Sequence, residues 1–499
     1  MANQLGAETV GEERPVMSAS AANALVFLTS FCVLLLEILA GRLLAPLIGV
    51  SLETFTGIIG TVLAGIAAGS MVGGRAADRR DPSLLLGPIL IVGGVLTWVA
   101  PVLVTVLNPL RGADPVTIVV LTALTFFAPA TVLSAITPMV AKILIRDLGD
   151  TGRIVGNLSA AGTAGALAGT FTTGFVLVRF FPTRPLIVVV GAVLVALGVW
   201  MTGLRAVRGN PPAVLGAVFL GGLAVIAPER CDTETAYACV ETVADTERAT
   251  GRAVVLNQAY NSYVDLADPQ HLEFRYVRLF ASVVEAAKPG PVTGLHLGGA
   301  GLTFPRYLQA VEPEGHQTVL EIDGQLAEYV VDLLPDGATD GVEIVVGDAR
   351  LTTEDLPDNH FDVVVGDAFS GLSVPWHLTT DEYVAELGRV VTDGGLVVMN
   401  VIDGGNLSFV RAEMATYGQH FAHVALVAPP DHESGFALGS SAAPSRNYVI
   451  VASEQPLGEI AIDPADGVWI GAVDAEEYWR DALVLTDDFA PVDQMRDLG

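Results

Sequence analysis

The chain has 499 residues, a formal net charge of -29 at neutral pH and a mean hydropathy of +0.53. From residue 231 onward, 44 acidic side chains stand against 12 basic ones, which argues against any phosphate-backbone partner and hence against nucleic acid. Lysine is confined to Lys142 and Lys288. A surface this acidic suits a halophilic organism, where salt screens the self-repulsion, and equally a GC-rich genome with acidic drift.

In chain order, residues 1–21 form an N-terminal tail, and residues 22–228 are almost unbroken apolar stretches with short polar joints. The expected spans are 22–44, 54–72, 84–107, 116–140, 154–178, 185–204 and 212–228. Most reach the ~20 apolar residues that a bilayer core requires. Seven such stretches make a polytopic domain in a cell membrane, where one alone would pass for a signal peptide. Glu37 is an acid deep in the first span, and an intramembrane carboxylate is by default a functional candidate, with a helix–helix hydrogen bond as its plainer role. Arg42 follows five residues later, about 140° around the helix, so the two need not pair. The fifth span carries Gly165-x-x-x-Gly169, a pattern for close helix packing. The GGRAADRR stretch at 73–80 reads as a loop similar to a turn of major-facilitator transporters. No second bundle accompanies it, so a complete transporter of that class is not expected.

Basic residues fall unevenly between the joints. Arg14, Arg75, Arg79, Arg80, Lys142, Arg146, Arg153, Arg205 and Arg208 lie on one side, and Arg111, Arg179, Arg184 and Arg230 on the other. With seven spans, the positive-inside rule places the C-terminal half outside. Cys231 and Cys239 then suit a small disulfide loop or remain two thiols, while Cys32 belongs to packing in the first span.

Residues 229–290 read as a linker with a small β region and a helix, and residues 291–499 as an α/β domain. Strand 292–297 runs into Gly298-Gly299-Ala300-Gly301, with a helix opening near Thr303 and Pro305 tolerated in its first turn. Strand 318–322 carries Glu321 and leads to Asp323, strand 342–346 leads to Asp348, and strand 361–365 leads to Asp367. In open α/β sheets, ligands bind outside the carboxyl ends of the strands. A glycine turn and several acids on that edge suit a nucleoside-bearing ligand with hydroxyls and positive charge. Phe304 occupies the third glycine position of G-x-G-x-x-G, which argues against a nicotinamide cofactor. Each single strand-end Asp or Gly also has a plain role as turn or cap former.

The ordered series LHLGGAG, VLEID, VVGDAR and FDVVVGDAFSG, preceded by VVLNQAYNSYVDLADP and LEFRYVRL, resembles the spermidine synthase family of aminopropyltransferases. That family shares the class I methyltransferase fold, and the resemblance covers 251–403. With its hydrophobic N-terminal half, the whole arrangement is similar to membrane-fused spermidine synthases. The resemblance implies that Gly298, Gly299 and Gly301 lie against the ligand's amino-acid-derived tail and that Glu321, with Asp323 beside it, takes the ribose hydroxyls. Asp348 and Ala349 would lie near the adenine, and Asp367 would take the proton from an attacking amine. Tyr276 and Ser370 would face the amine substrate. Decarboxylated S-adenosylmethionine or S-adenosylmethionine is the implied co-substrate, with no metal. A carboxylate accepts both hydrogen bonds of a vicinal diol. Displacement beside a sulfonium needs a neutral amine, so a proton-accepting carboxylate and in-line positioning supply the chemistry.

The family's usual Asp in the glycine turn is here Ala300 or Gly301, its second acid is Ser370, and its Gln after the tyrosine is Val277. These departures remove groups expected to hold a diamine. They favour a second reading, methyl transfer to a lipid or a hydrophobic amine. A third is a non-catalytic nucleoside- or polyamine-binding sensor or transporter, against which the retained Glu321 and Asp367 speak. A sulfonium cofactor made in the cytosol argues against an external domain, so the side of the catalytic half stays open at this stage, as does homo-oligomerisation. Further on, Thr379-Thr380-Asp381-Glu382 reads as a capping box, with His377 just before it near the site. Strand 395–400 precedes Asp403. Segments 423–427 and 448–453 read as closing antiparallel strands. Asp487, Asp488 and Asp493 belong to a tail that either folds back over the pocket or is solvated.

Overall fold

The computed structural model describes residues 17–110, 114–145, 148–203, 211–226, 231–257, 259–371, 373–404, 406–430 and 446–495. The chain divides into two compact units, 1–229 and 230–499. Arg14, Arg111, Arg146, Arg205, Arg208 and Arg230, used in the charge count, lie outside the described residues.

In the first unit, six helices are long and apolar enough to cross a membrane. They are α1 (Ala19–Ile48), α2 (Leu52–Arg79), α3 (Pro82–Val106), α4 (Pro115–Leu144), α5 (Thr151–Phe180) and α6 (Thr183–Thr202). The seventh expected span is helix α7 (Pro211–Ile226) of 16 residues. At 1.5 Å per residue it is about 24 Å long, short of a hydrocarbon core of about 30 Å. The GGRAADRR stretch is no loop, because α2 continues to Arg79 before Asp81 caps the next helix. Its alanines and arginines are good helix formers, and a Cβ on Gly73 would stand 2.4 Å from the Ala135 carbonyl oxygen, so a side chain would not fit there.

Small residues set the packing. A Cβ at Gly165 or Gly169 would stand 2.2 Å from the Phe27 carbonyl oxygen or 2.5 Å from that of Phe31, so the expected close approach is real and its partner is α1. Gly94 and Gly191 bring α3 and α6 together in the same way. Glu37 lies half-buried on α1. Arg42 donates to Thr183 Oγ1 at 3.2 Å and to the Val178 carbonyl at 3.3 Å.

The second unit opens with an antiparallel sheet of β1 (Thr233–Glu234), β2 (Cys239–Ala244), β3 (Gly251–Leu256) and β4 (Ala259–Asp265), followed by α8 (Arg275–Ala287). The main sheet contains β5 (Thr293–Leu297), β6 (His316–Glu321), β7 (Val342–Val346), β8 (Phe361–Gly366), β9 (Val391–Asp403), β10 (His423–Ala428), β11 (Arg446–Ser453) and β12 (Val468–Ile470). Its order is β12-β10-β11-β9-β8-β5-β6-β7. Strands β5 to β9 are parallel, and β11 runs antiparallel between β9 and β10. The inner parallel strands β5, β6, β8 and β9 are buried along most of their length, which is why they read as apolar runs, while the edge strand β7 is only partly covered. Helices α9 (Thr303–Val311), α10 (Gly324–Leu333), α11 (Ala349–Glu354) and α12 (Asp381–Val390) cover them, with α13 (Ser408–Tyr417) after β9.

The expected capping box does not form. Thr380 is the N-cap of α12, but its hydroxyl donates to Asp487 at 2.8 Å, and Glu382 accepts the Asp487 N–H at 2.9 Å. Both side chains serve the C-terminal segment instead of the helix end.

Candidate active site

Parallel register brings the strand ends level. Leu297 pairs with Leu320 and with Gly366, and Glu321 pairs with Val346. The glycine turn, Glu321, Asp348 and Asp367 therefore lie along one edge. The turn closes tightly onto β8: Asp367 N–H donates to the Leu297 carbonyl at 3.0 Å, and Gly298 has φ +89°. A Cβ on Gly298 would stand 2.9 Å from the Asp367 carbonyl oxygen, so glycine is required there.

Glu321 is buried and holds the turn itself. Its Oε2 accepts from Gly299 N–H at 2.8 Å and Ala300 N–H at 3.2 Å, and its Oε1 accepts from Asp323 N–H at 2.9 Å. Oε2 is thereby filled, and Oε1 keeps a further lone pair for a ligand hydroxyl.

Asp367 is held by a chain of donors. Tyr276 Oη donates to Oδ2 at 2.9 Å, and Asn400 Nδ2 donates to Oδ1 at 2.8 Å. Asn447 Nδ2 donates in turn to Asn400 Oδ1 at 2.9 Å, which fixes the Asn400 amide with its donor end toward the acid. Burial pushes the Asp367 carboxyl up to about 7, while the hydrogen bonds from Asn400 and Tyr276 hold it down. Burial, together with the neighbouring Asp367 charge, raises the Tyr276 phenol well above its ordinary value and keeps it a donor.

Asp367 opens onto a recess of about 510 Å³, including its open mouth, whose walls include Tyr276, Phe274, Phe280, Phe304 and His296. His296 Nε2 donates to Gln317 Oε1 at 2.9 Å, and burial lowers its pKa to about 4, so it stays neutral. Among the groups lining the recess, Asp367 is the one poised to exchange a proton near neutrality.

No family model matches the chain. A polyamine aminopropyltransferase of Vibrio vulnificus is 29% identical over 247 residues, which are 46% of this chain and 78% of that protein. One of the same name from Bacillus cereus is 29% identical over 130 residues, 25% of this chain and 47% of that protein. The C-terminal half is a spermidine synthase-type transferase domain with the class I methyltransferase fold. A probable spermidine synthase from Corynebacterium glutamicum has 26% identity and a TM-score of 0.46, covering 51% of this chain and 95% of that one.

In this spermidine synthase-type domain the remaining expected residues separate. Tyr276, Gly298 and Gly299 line the recess with Asp367, and Gly301 N–H donates at 3.2 Å to Ser262 Oγ, another residue of the recess wall. Asp323 caps α10 through the N–H groups of Gln325 and Leu326, each at 3.2 Å, and accepts the Thr235 hydroxyl. Asp348 caps α11 and meets His377 Nε2 at 3.1 Å, with Ala349 buried beneath. Ser370 lies exposed in the loop after Asp367, its N–H on the Ser373 carbonyl at 2.8 Å, away from the recess walls. Asp403 caps α13 through Phe409 and Val410 N–H.

The tail folds back onto the domain. Arg350, two residues beyond Asp348, is bound in a fork by Asp487 at 2.7 and 2.6 Å, and Asp493 accepts from Ser373 Oγ at 2.8 Å, while Asp488 is exposed. Sequence reasoning missed Asn400, Asn447 and His296. Asn400 had a signal, a polar residue ending the apolar run LVVM. Asn447 had none, because its partner is 47 residues away.

Proposed function

We propose that the protein is a membrane-anchored aminopropyltransferase-like enzyme acting on a small-molecule amine, with decarboxylated S-adenosylmethionine as co-substrate. Its neutral amine nitrogen attacks the propyl carbon beside the sulfonium. The carbon–sulfur bond breaks, its electron pair remains on sulfur as a thioether, and Asp367 accepts the proton shed by the new ammonium. The observation that carries this reading is a single carboxyl, Asp367, raised to about 7 and aimed by Tyr276 and Asn400 into a recess beside the glycine turn. Gly298, Gly299 and Gly301 would lie along the ligand's tail, Glu321 would accept the ribose hydroxyls, and Asp348 with Ala349 would border the adenine. Asp323, fully engaged as a helix cap, supports that edge.

A specific feature favours a second reading. The recess walls are largely aromatic, with Asp367 as their carboxylate and Ser370 outside, which suits a hydrophobic amine better than a dication. Methyl transfer from S-adenosylmethionine to such an amine uses the same base. Full-length protein in detergent, supplied with either sulfonium and a panel of diamines and monoamines, separates the two. Release of methylthioadenosine supports aminopropyl transfer. S-adenosylhomocysteine supports methyl transfer, and neither product overturns both.

A further inference from the structure

The disulfide Cys231–Cys239 closes a hairpin in which Glu234 pairs with Cys239 and Thr233 with Val240. Its tip is pinned to the nucleoside edge of the sheet. The Thr235 hydroxyl bonds Asp323, and Ala236 N–H donates to Gln325 Oε1 at 3.0 Å in the first turn of α10. Its base is tied to the same helix, since Tyr329 Oη donates to Asp232 at 3.0 Å and meets Thr242 Oγ1 at 2.8 Å. Thr235 is buried, while the next residue but one, Tyr237, is 56% exposed. Partial burial and the charges of Asp323, Asp348 and Glu321 raise the Tyr237 phenol, so the ring lies within electrostatic reach of all three strand-end acids. An exposed aromatic on a cross-linked, twice-tethered turn is held where a mobile loop would let it wander.

We propose that the Cys231–Cys239 turn is a wall of the nucleoside site and that Tyr237 packs its ring against the adenosyl moiety of the ligand, with the disulfide holding it in place. The inference rests on the adenosyl reading above and adds a binding residue and a redox dependence to it. The ligand class is a purine nucleoside thioether or sulfonium. Tyr237 contributes a ring face, so phenylalanine serves as well as tyrosine, whereas alanine does not.

The test is calorimetric titration of methylthioadenosine into the full-length protein in detergent, oxidised and after tris(2-carboxyethyl)phosphine. That phosphine delivers two electrons to the bridge, leaving two thiols, and becomes the phosphine oxide with oxygen from water. Tyr237→Ala is expected to weaken binding roughly 5- to 150-fold, the range for loss of one base–aromatic stack, and Tyr237→Phe by less than about 2-fold. Reduction should weaken binding by the unsubstituted protein, and the Cys231→Ser/Cys239→Ser double variant should bind weakly with or without reductant. Absence of binding by the unsubstituted oxidised protein overturns the adenosyl reading and this inference together. Binding at full strength by Tyr237→Ala, in a preparation whose unsubstituted protein binds, overturns the inference alone.

Discussion

Replacing Asn400 by leucine, a residue of similar size, removes the 2.8 Å hydrogen bond to Asp367 and leaves the recess-lining groups in place. The donor stabilises the ionised acid, so its loss raises the carboxyl further above about 7. A hydrogen bond to a charged group is worth about 1.5–3 kcal/mol, and ~1.4 kcal/mol is one pKa unit, so the new value falls at about 8–9. At pH 7 the ionised fraction then drops from about half to between ~10% and ~1%, and turnover falls roughly 5- to 50-fold if Asp367 is the base. At pH 10 the variant recovers nearly full turnover. The assay is the pH profile of kcat/KM for thioether release between pH 6 and 10. A variant with reduced turnover but an unmoved acid limb would refute the reasoning, because the loss would then come from packing and not from the proton acceptor.

Asn447→Leu should move the same limb upward by less, since it frees the Asn400 amide to rotate without deleting the donor; an unchanged profile removes Asn447 from the chain. Asp367→Asn should nearly abolish turnover, by about 10²–10⁴-fold, while nucleoside binding measured by calorimetry persists. The same variant bears on stability. Folding raises this pKa from an ordinary 3.8 to about 7, so the native state is favoured below the ordinary range and loses up to about 4 kcal/mol as pH rises through 7. Asp367→Asn should therefore flatten the dependence of Tm on pH between 4 and 8, and an unaltered slope would contradict the buried acid. Glu321→Gln keeps an oxygen for the Gly299 and Ala300 N–H groups but loses an acceptor for the ribose, so binding of an adenosyl thioether should weaken by roughly 1.5–3 kcal/mol; equal affinity would take Glu321 out of the ribose role. With the Cys231–Cys239 bridge formed, a membrane-impermeant thiol reagent on intact cells should label these cysteines only after reduction, as on an oxidising face. Labelling only after lysis, without reductant, would place the domain in the cytosol.

Much of this protein was legible in one dimension, because the deciding signals are local. The apolar stretches announce helices of membrane length, since a bilayer demands about 20 consecutive apolar residues. Alternating strands and helices, with glycine or acid at each strand end, announce the parallel sheet and the edge where Glu321, Asp348 and Asp367 gather. Periodicity also placed the closing antiparallel strands at His423 and Tyr448. What lay beyond the sequence depends on contacts between distant segments. Asp323 caps α10 through local N–H groups, but its other oxygen is taken by Thr235, 88 positions earlier. The capping box expected over Thr379–Glu382 gave way to Asp487, which takes Thr380 and Glu382 from more than 100 residues away. The close approach of α2 at Gly73 to Ala135, inside the GGRAADRR stretch, joins segments far apart in the sequence. The raised pKa of Asp367 exists because β8, β9, β11 and α8 meet around one carboxyl. Residue type supplies the acid, but only burial among Tyr276, Asn400 and Asn447 makes it a base near neutral pH, since desolvation and aimed donors are properties of the assembled fold.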